Sequence, residues 1–584
     1  MFLYLSLLQE IRCPWGLFPQ SSRSWLWLSQ FDTIDPSSID VSSAWLQDCY
    51  LNHEATCSTK GESRLPNRVL AIGDSLDNIR LLETNNGTGG YACPSHCWGG
   101  SQVLKTRHNN LEDNKSCIPW EGISKTFQDA IIVARSLNIE YLWIDSLCII
   151  QDDSADWIRE LKEMCNIYEN SQLTIAATSA PNATAGLFLK DRIRHKICGS
   201  TSTGTNFRFI VCKTDNTHPN KAMEGDPAFE IWPLLKRAWV LQERMLSPRV
   251  IRFGKTELMW ECRHLARCEC EIFKRNDLVD AKSKNFELLT QSTNASLIEA
   301  WHRLIETYCP LGLTVLSDKF PALSGLAKQM AKLRPRATYL AGLWSDSLER
   351  DLLWINGDTG VPEIQIPIPA ERHAPSWSWA STNGNISHIQ NGSFQDEKYP
   401  QGPHIFFSVS DARTQLATDD PTGQVLGGSI TITGPTLEAI FVDTLDPTQH
   451  WKVMPDKTRF GIRINNSGQE IRQHINSVNQ VFFDIPSNPF VLDLQLSLFH
   501  GSVKCIRMAR VPHMPQADGV SHNEEWAMIV APLRSATSFR RIGMLVLGRN
   551  ASVYVEDPQE SEQAWKENSS FWEEDGVVET ITIV

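Results

Sequence analysis

Hydrophobic and polar positions change their period several times between residues 66 and 262, and each change marks a predicted element. "RLPNRVLAIG" and "NIRLLET" read as a strand pair, followed by the turn cluster "NNGTGG". "YACPSHCWGG" reads as a strand running into glycines. "ISKTFQDAIIVARSLN" places Ile123, Phe127, Ile131, Ala134 and Leu137 near one face of a helix. "YLWIDSLCII" is a continuous apolar run, which predicts a central strand covered on both faces. In "DWIRELKEMCNIYENS" the stripe Trp157, Leu161, Met164 and Tyr168 predicts a second helix, with Glu160 on its solvated flank. "QLTIAAT" is the third strand of this series. Strand, helix, strand, helix, strand at this rhythm predicts an α/β fold with a parallel sheet flanked by helices. An insertion reaching about Phe229 holds one strand-like run, "FRFIVCK". "RAWVLQER", residues 237–244, then reads as a helix stopped before Pro248, and "RVIRFG" and "ELMWEC" follow as strands around Gly254.

The pattern is mainly helical from about 280 to 350 ("NASLIEAWHRLIETYC", "FPALSGLAKQMAKL", "ATYLAGLWSDSLERDLLW"). After Pro375 it turns to short, often alternating strands ("SITITG", "QVFFDI", "FVLDLQLSLF", "KCIRMARV", "WAMIVAPL", "RIGMLVLG", "TITIV"). The predicted organisation is an N-terminal extension (1–65), a strand pair (66–90), an α/β domain (91–255), a helical segment (256–385) and a β-rich C-terminal domain (386–584).

Composition narrows the function classes. Over 584 residues, 41% are hydrophobic and 21% charged, the balance of a globular protein, and the net charge of -13 argues against nucleic acid or an anionic membrane as partner. Fifteen cysteines, an odd number without obvious pairs, fit a reducing compartment. The opening "MFLYLSLLQEIRC" lacks a basic n-region and a small-residue cleavage site, and no run of 18 apolar residues occurs, so an intracellular, cytoplasmic protein without a membrane span is expected. The chain carries 20 tryptophans, and those from Trp344 through Trp354 to Trp377 and Trp379 are expected to pack the helical segment against the sheet rather than to form an interface.

Several blocks in fixed order resemble the fungal heterokaryon-incompatibility (HET) domain family: "YACPSHCWGGSQVLKT", "IPWEGISKTFQDAI" with "YLWIDSLCIIQDDSADWIRELKEMCNIYENSQLTIAATSAPNATAGLF", and "RAWVLQERMLSPRVIRFGKTELMWEC". "SDKFPALSGLA", "YLAGLW" and "APSWSWAS" resemble the downstream half of long HET proteins. One departure stands out. Where the family has a small apolar residue and Leu before the Ser, this chain has Cys93 and Pro94, and the missing proline donor predicts an irregular strand end. The resemblance implies non-self recognition between fungal cells, a cell-death response, and a TIR-like (flavodoxin-like) parallel sheet. It further implies NAD as a candidate substrate, because some TIR domains cleave NAD with a glutamate four residues after a Trp on a helix. Trp239 and Glu243 have that spacing.

The candidate site follows from these blocks. Glu243 is the candidate catalytic carboxylate, able to stabilise an oxocarbenium-like state, with Trp239 ordering its helix and Arg237 or Arg244 meeting phosphates. The competing reading is a structural ion-pair network under a Trp-packed helix. Asp145, at the end of "YLWID", is either a site residue or a structural cap. Ser95, Cys97, Trp98 and Gly99 line the same end of the sheet, where the glycine either admits a ligand phosphate or makes a tight turn. A nucleophile–base pair between His96 and either neighbour is disfavoured, since adjacent strand residues point to opposite faces. Glu243 is expected to face a cleft at the carboxyl ends of the strands, in reach of the Trp98 loop and Asp145. Cys49, His53 and Cys57, and separately Cys262, His264, Cys268 and Cys270, lack the paired hooks usual for zinc, so both groups read as buried thiols and no metal is expected. No cofactor is expected. Without a G-x-x-x-x-G-K-[ST] motif any regulating ATPase would be a separate chain, so the expected partners are a second copy or another HET or signalling protein.

Overall fold

The computed structural model describes residues 26–30, 38–57, 63–75, 78–99, 104–188, 194–200, 206–213, 232–255, 257–269, 281–357, 373–382, 384–388, 403–443, 460–464, 470–471, 479–483, 502–512, 523–533, 538–547 and 576–584. The chain forms two compact units that are not consecutive in sequence. The first comprises residues 1–153, 170–234 and 247–283, and the second 154–169, 235–246 and 284–584. The sequence, by contrast, suggested consecutive boundaries.

The first unit is built on a mixed sheet. Its strands are β1 (Arg68–Ala71), β2 (Arg80–Glu83), β3 (Tyr91–Ser95), β4 (Tyr141–Leu142), β5 (Leu173–Ala176), β6 (Arg249–Phe253), β7 (Leu258–Cys262) and β8 (Ala266–Cys268), in the order β8-β7-β6-β5-β3-β4-β1-β2. β6, β5, β3 and β4 are mutually parallel. An antiparallel hairpin adds to either side of them: β1 with β2, and β7 with β6 and β8. The expected strand pair and parallel centre are therefore present. Helices α1 (Ser38–Asn52), α2 (Glu54–Cys57) and α3 (Lys125–Ser136) contribute to the core with one sheet face. Leu173, Ile175, Ile251, Phe253, Leu258 and Trp260, alternate residues of their strands, bury together with Leu46, Phe127, Ile131 and Ala134.

Pro94 does not disturb β3, which runs through Ser95 in register with β5. The bonds along β3 explain why. Tyr91 O accepts from Gln172 N on the β5 side, Ala92 O from Trp143 N on the β4 side, and Ser95 O from Ala177 N on the β5 side. This alternation turns position 94 toward β4, which has already ended at Leu142, so no ladder bond requires the missing N–H.

The run "YLWIDSLCII" is central, between β3 and β1, but its strand is only two residues long and a helical turn, α4 (Asp145–Cys148), follows. Other groups capture its carbonyls. Ser146 O accepts from Thr106 N, Leu147 O from Thr106 Oγ1 at 2.6 Å, and Cys148 O from Arg68 Nε at 2.7 Å. An apolar run can be doubly buried without continuing as a strand once its backbone has such partners. "FRFIVCK" falls within Asn206–Lys213, which forms a separate antiparallel sheet with Arg194–Ser200 and Leu26–Gln30.

The second unit contains α5 (Ser154–Glu169), α6 (Ala238–Leu246), α7 (Asn294–Tyr308) and α8 (Pro321–Leu333). α8 meets α5 and α6 at Gly325, where a Cβ would lie 2.7 Å from Gln242 Oε1, 2.9 Å from Leu246 Cδ1 and 3.0 Å from Cys165 Cβ. On α5 the buried face is offset by about one position from the expected stripe. Asp156 and Glu160 are fully buried, while Trp157 is 40% exposed. Glu160 is therefore not on a solvated flank. Asp156 lies in the first turn, where the helix dipole favours negative charge, and pairs with Arg159.

"ATYLAGLW" is not helical. Tyr339–Leu340 and Leu343–Trp344 form a hairpin whose two turn residues, Ala341 and Gly342, have φ of 47° and 95°, the positive pair a two-residue hairpin demands. Gly342 O accepts the indole N–H groups of Trp301 and Trp379, at 2.9 and 3.0 Å, and Trp344, Trp354, Trp377 and Trp379 are buried, a packing role.

The C-terminal part is β-rich as expected. Strands β9 (Ser408–Leu416), β10 (Val425–Asp443), β11 (Ser502–Pro512), β12 (Asn523–Pro532), β13 (Phe539–Leu547) and β14 (Val577–Ile583) include a closed ring, β10-β11-β12-β13-β14, forming a small barrel. "QVFFDI" contributes Asn479–Phe483, paired with β13. "FVLDLQLSLF" and Cys270 lie outside the described residues.

Candidate functional site

The parallel strands run β4-β3-β5-β6 in space, so the chain starts in the middle and reverses direction between β3 and β5. In open α/β sheets ligands bind beyond the carboxyl ends of the strands at such a reversal. Of the residues the sequence singles out, Ser95, Cys97, Trp98, Gly99 and Asp145 lie at or beyond the ends of β3 and β4 there. Ser95 ends β3 and is buried, as are His96 and Cys97, whereas Trp98 is half-buried and Gly99 exposed. The His96 ring meets Phe127 of α3 edge-on at 4.6 Å.

Trp98 and Asp145 come together. Trp98 Nε1 donates to Asp145 Oδ2 at 2.9 Å, and Ser146 N donates to Oδ1 at 2.7 Å. The carboxylate thus accepts from the first turn of α4 and holds the Trp98 loop at once. Lys105 Nζ stands 4.8 Å from the centre of the Trp98 ring, a cation–π contact that puts positive charge beside the loop. Gly99 has φ +63°, and a Cβ there would lie 2.4 Å from Asn182 Cβ, so glycine is required where this loop crosses the one after β5.

A second anchor was not foreseen. Asp129, buried on α3, accepts from Leu187 N at 2.8 Å through Oδ2 and pairs with Lys125 Nζ at 2.6 Å through Oδ1. Thr126 Oγ1 accepts from Gly186 N at 3.2 Å. These bonds fasten the loop after β5 to the start of α3. The available signal was an Asp inside the apolar face of "TFQDAIIVA", a position that demands a partner.

Arg237, Trp239, Glu243 and Arg244 belong to the second unit, and Asp145 and the Trp98 loop to the first. Arg237 bridges to Gly312, and Ala238 N donates to Gly312 O at 3.0 Å. Trp239 is half-buried rather than buried. Its indole N–H donates to Asp318 Oδ2 at 3.3 Å. Burial raises the Asp318 carboxyl above its usual range, and the Trp239 bond opposes that rise. Gln242 Oε1 accepts from Gly325 N at 2.6 Å. Arg244 is buried at 4% exposure, and Glu243 is half-buried. α6 is thus fixed in rotation by residues on either side of Glu243, an arrangement that serves a positioned carboxylate and a packing helix equally.

The two Cys/His groups do not stay separate: the fold places Cys262 beside Cys49 and His53. Among the described residues, no helix is long and apolar enough to cross a membrane.

Residues 91–243 match the family model described as "Heterokaryon incompatibility protein (HET)". The match opens at Tyr91, the first residue of β3, and closes at Glu243. No curated protein and no solved structure matches the chain.

Proposed function

Because residues 91–243 carry a heterokaryon-incompatibility (HET) domain, we propose that the protein is a signalling component of fungal non-self recognition whose output is cell death, produced by cleavage of NAD. The family match carries the first part of this reading. The second part is supported by the β4-β3-β5-β6 order of the parallel strands, an order that flavodoxin-like sheets also use, and by the Trp239–Glu243 spacing on α6.

In the proposed reaction the bond between ribose C1′ and the nicotinamide nitrogen breaks, with its electron pair leaving on nicotinamide. Water supplies the oxygen to C1′ and releases one proton, giving ADP-ribose. Glu243 is the carboxylate that stabilises the oxocarbenium-like state. Trp239, tied to Asp318, positions its helix. Purified protein incubated with NAD, alone and under forced oligomerisation, tests the reading by release of nicotinamide.

A second reading, signalling by assembly with a second copy or another HET protein and without chemistry, is favoured by Trp157 and Ile158. These adjacent large apolar side chains of α5 are 40% and 42% exposed. Self-association that survives Glu243→Gln, with cell death intact and no NAD loss in the wild type, selects this reading.

A further inference from the structure

Two Cys/His groups about 200 positions apart in sequence meet in the first unit. Cys49 lies on α1, His53 just beyond it and Cys57 at the end of α2. The spacing of four stays helical across the break, because His53 N donates to Cys49 O at 3.0 Å and Cys57 N to His53 O at 2.9 Å. The three side chains therefore share a face. Cys262 arrives from the end of β7. The ligand atoms of Cys49, His53 and Cys262 lie within 4.8 Å of one another, and all three residues are buried. His53 Nδ1 stands 3.6 Å from Cys262 Sγ. The Cys57 side chain, also buried, lies beside those of Cys49 and Cys262 but outside the 4.8 Å set. All three cysteines carry thiols rather than disulfides.

We propose that Cys49, His53, Cys57 and Cys262 form a tetrahedral Cys₃His site for zinc that fastens the helical segment 38–57 to the β7 side of the sheet. Zinc at about 2.3 Å from sulfur and about 2.0–2.1 Å from nitrogen sets ligand atoms about 3.6–3.8 Å apart. The His53–Cys262 separation has that value, and the 4.8 Å limit on Cys49, His53 and Cys262 leaves those three a small contraction, with Cys57 moving in from outside that limit as the fourth ligand. The surroundings are those a metal thiolate needs. Leu265 N donates to Cys262 Sγ at 3.4 Å, and Arg249 Nε donates to Cys49 Sγ at 3.2 Å. Arg249 is buried and also donates to Cys57 O at 2.7 Å. Three thiolates and one Zn²⁺ carry a net charge of about -1, which this guanidinium balances. Binding releases the three thiol protons to solvent. His264 stacks on His53 at 4.4 Å but is exposed, so it covers the site rather than joining it. Four protein ligands leave no open position, and the site is structural. Spacing alone could not reveal it, because the fourth ligand comes from a strand 205 residues after Cys57.

Metal analysis of the full chain, purified under reducing conditions, tests this. About one zinc per chain is expected, falling at least about tenfold in Cys262→Ser and in His53→Ala. Should either variant fail to fold, cobalt exchange into the wild type decides. Intense tetrahedral d–d bands with a thiolate-to-cobalt charge-transfer band support the site. A folded, reduced wild type that takes up neither metal, or full zinc retention in a folded Cys262→Ser, overturns it.

Discussion

Trp98 and Asp145, 47 positions apart, are joined by one indole N–H bond of 2.9 Å that links the loop after β3 to the first turn of α4. Trp98→Phe keeps an aromatic ring, though a smaller one, and removes the donor. Leaving one carboxylate oxygen short of a partner in a half-buried place is expected to cost about 1–2 kcal/mol, read as a lower urea midpoint. An unchanged midpoint would mean that the bond holds nothing in place.

Two glycines give a matched comparison. Gly99→Ala must adopt φ +63° and meets Asn182 Cβ, so a loss of about 1–3 kcal/mol is expected. Gly122→Ala meets nothing within 4 Å and is expected to stabilise by about 0.4–1 kcal/mol through the unfolded chain. Thermal unfolding of both variants checks the sign of each effect.

Stability should fall on mild acidification through His388. Burial, with the neighbouring His302 second, lowers the His388 imidazole to about 4 from an ordinary 6.5. Its ring stacks on His302 at 3.9 Å, and Glu306 and Asp351 are the carboxylates facing the pair. The folded state resists protonation, so the unfolded state binds more protons below pH 6.5. The contribution is fully present above that pH and is lost as pH drops toward 4, on the order of 3 kcal/mol in all. Burial raises the Glu306 carboxyl, but its His388 contacts outweigh that and hold it below its ordinary value, so its contribution is lost in the same direction. Replacing His388 by Gln should flatten the pH 6.5–4 part of the stability curve.

The parallel centre was legible because β3, α3 and β5 each follow a single rule: double burial for the strands, a 3.6-residue stripe for the helix. "YLWID" was misjudged in length because apolarity reports burial and not backbone partners, and its carbonyls go to Thr106 and Arg68. "ATYLAGLW" carried a helical composition, and only the adjacent positive φ angles of Ala341 and Gly342 reveal the hairpin. The residues beyond β3 were identified from their blocks, and the structure joins Trp98 to Asp145. Asp129 and the meeting of Cys262 with Cys49 depend on long-range packing that no local period encodes.

Helix α6 separates the packing residues from the proposed catalytic one. Gln242→Ala removes the acceptor of Gly325 N and opens space beside Leu246, so a loss of about 1–3 kcal/mol is expected in equilibrium unfolding. Activity per folded molecule should be little changed.

Nicotinamide release by the wild type and by Glu243→Gln, measured beside their melting temperatures, decides whether Glu243 drives NAD cleavage. The wild type is expected to consume NAD and the variant not to, with melting temperatures within about 2 °C of each other. A wild type that leaves NAD intact even when forced to oligomerise, or a folded Glu243→Gln that still consumes it, would contradict the claim.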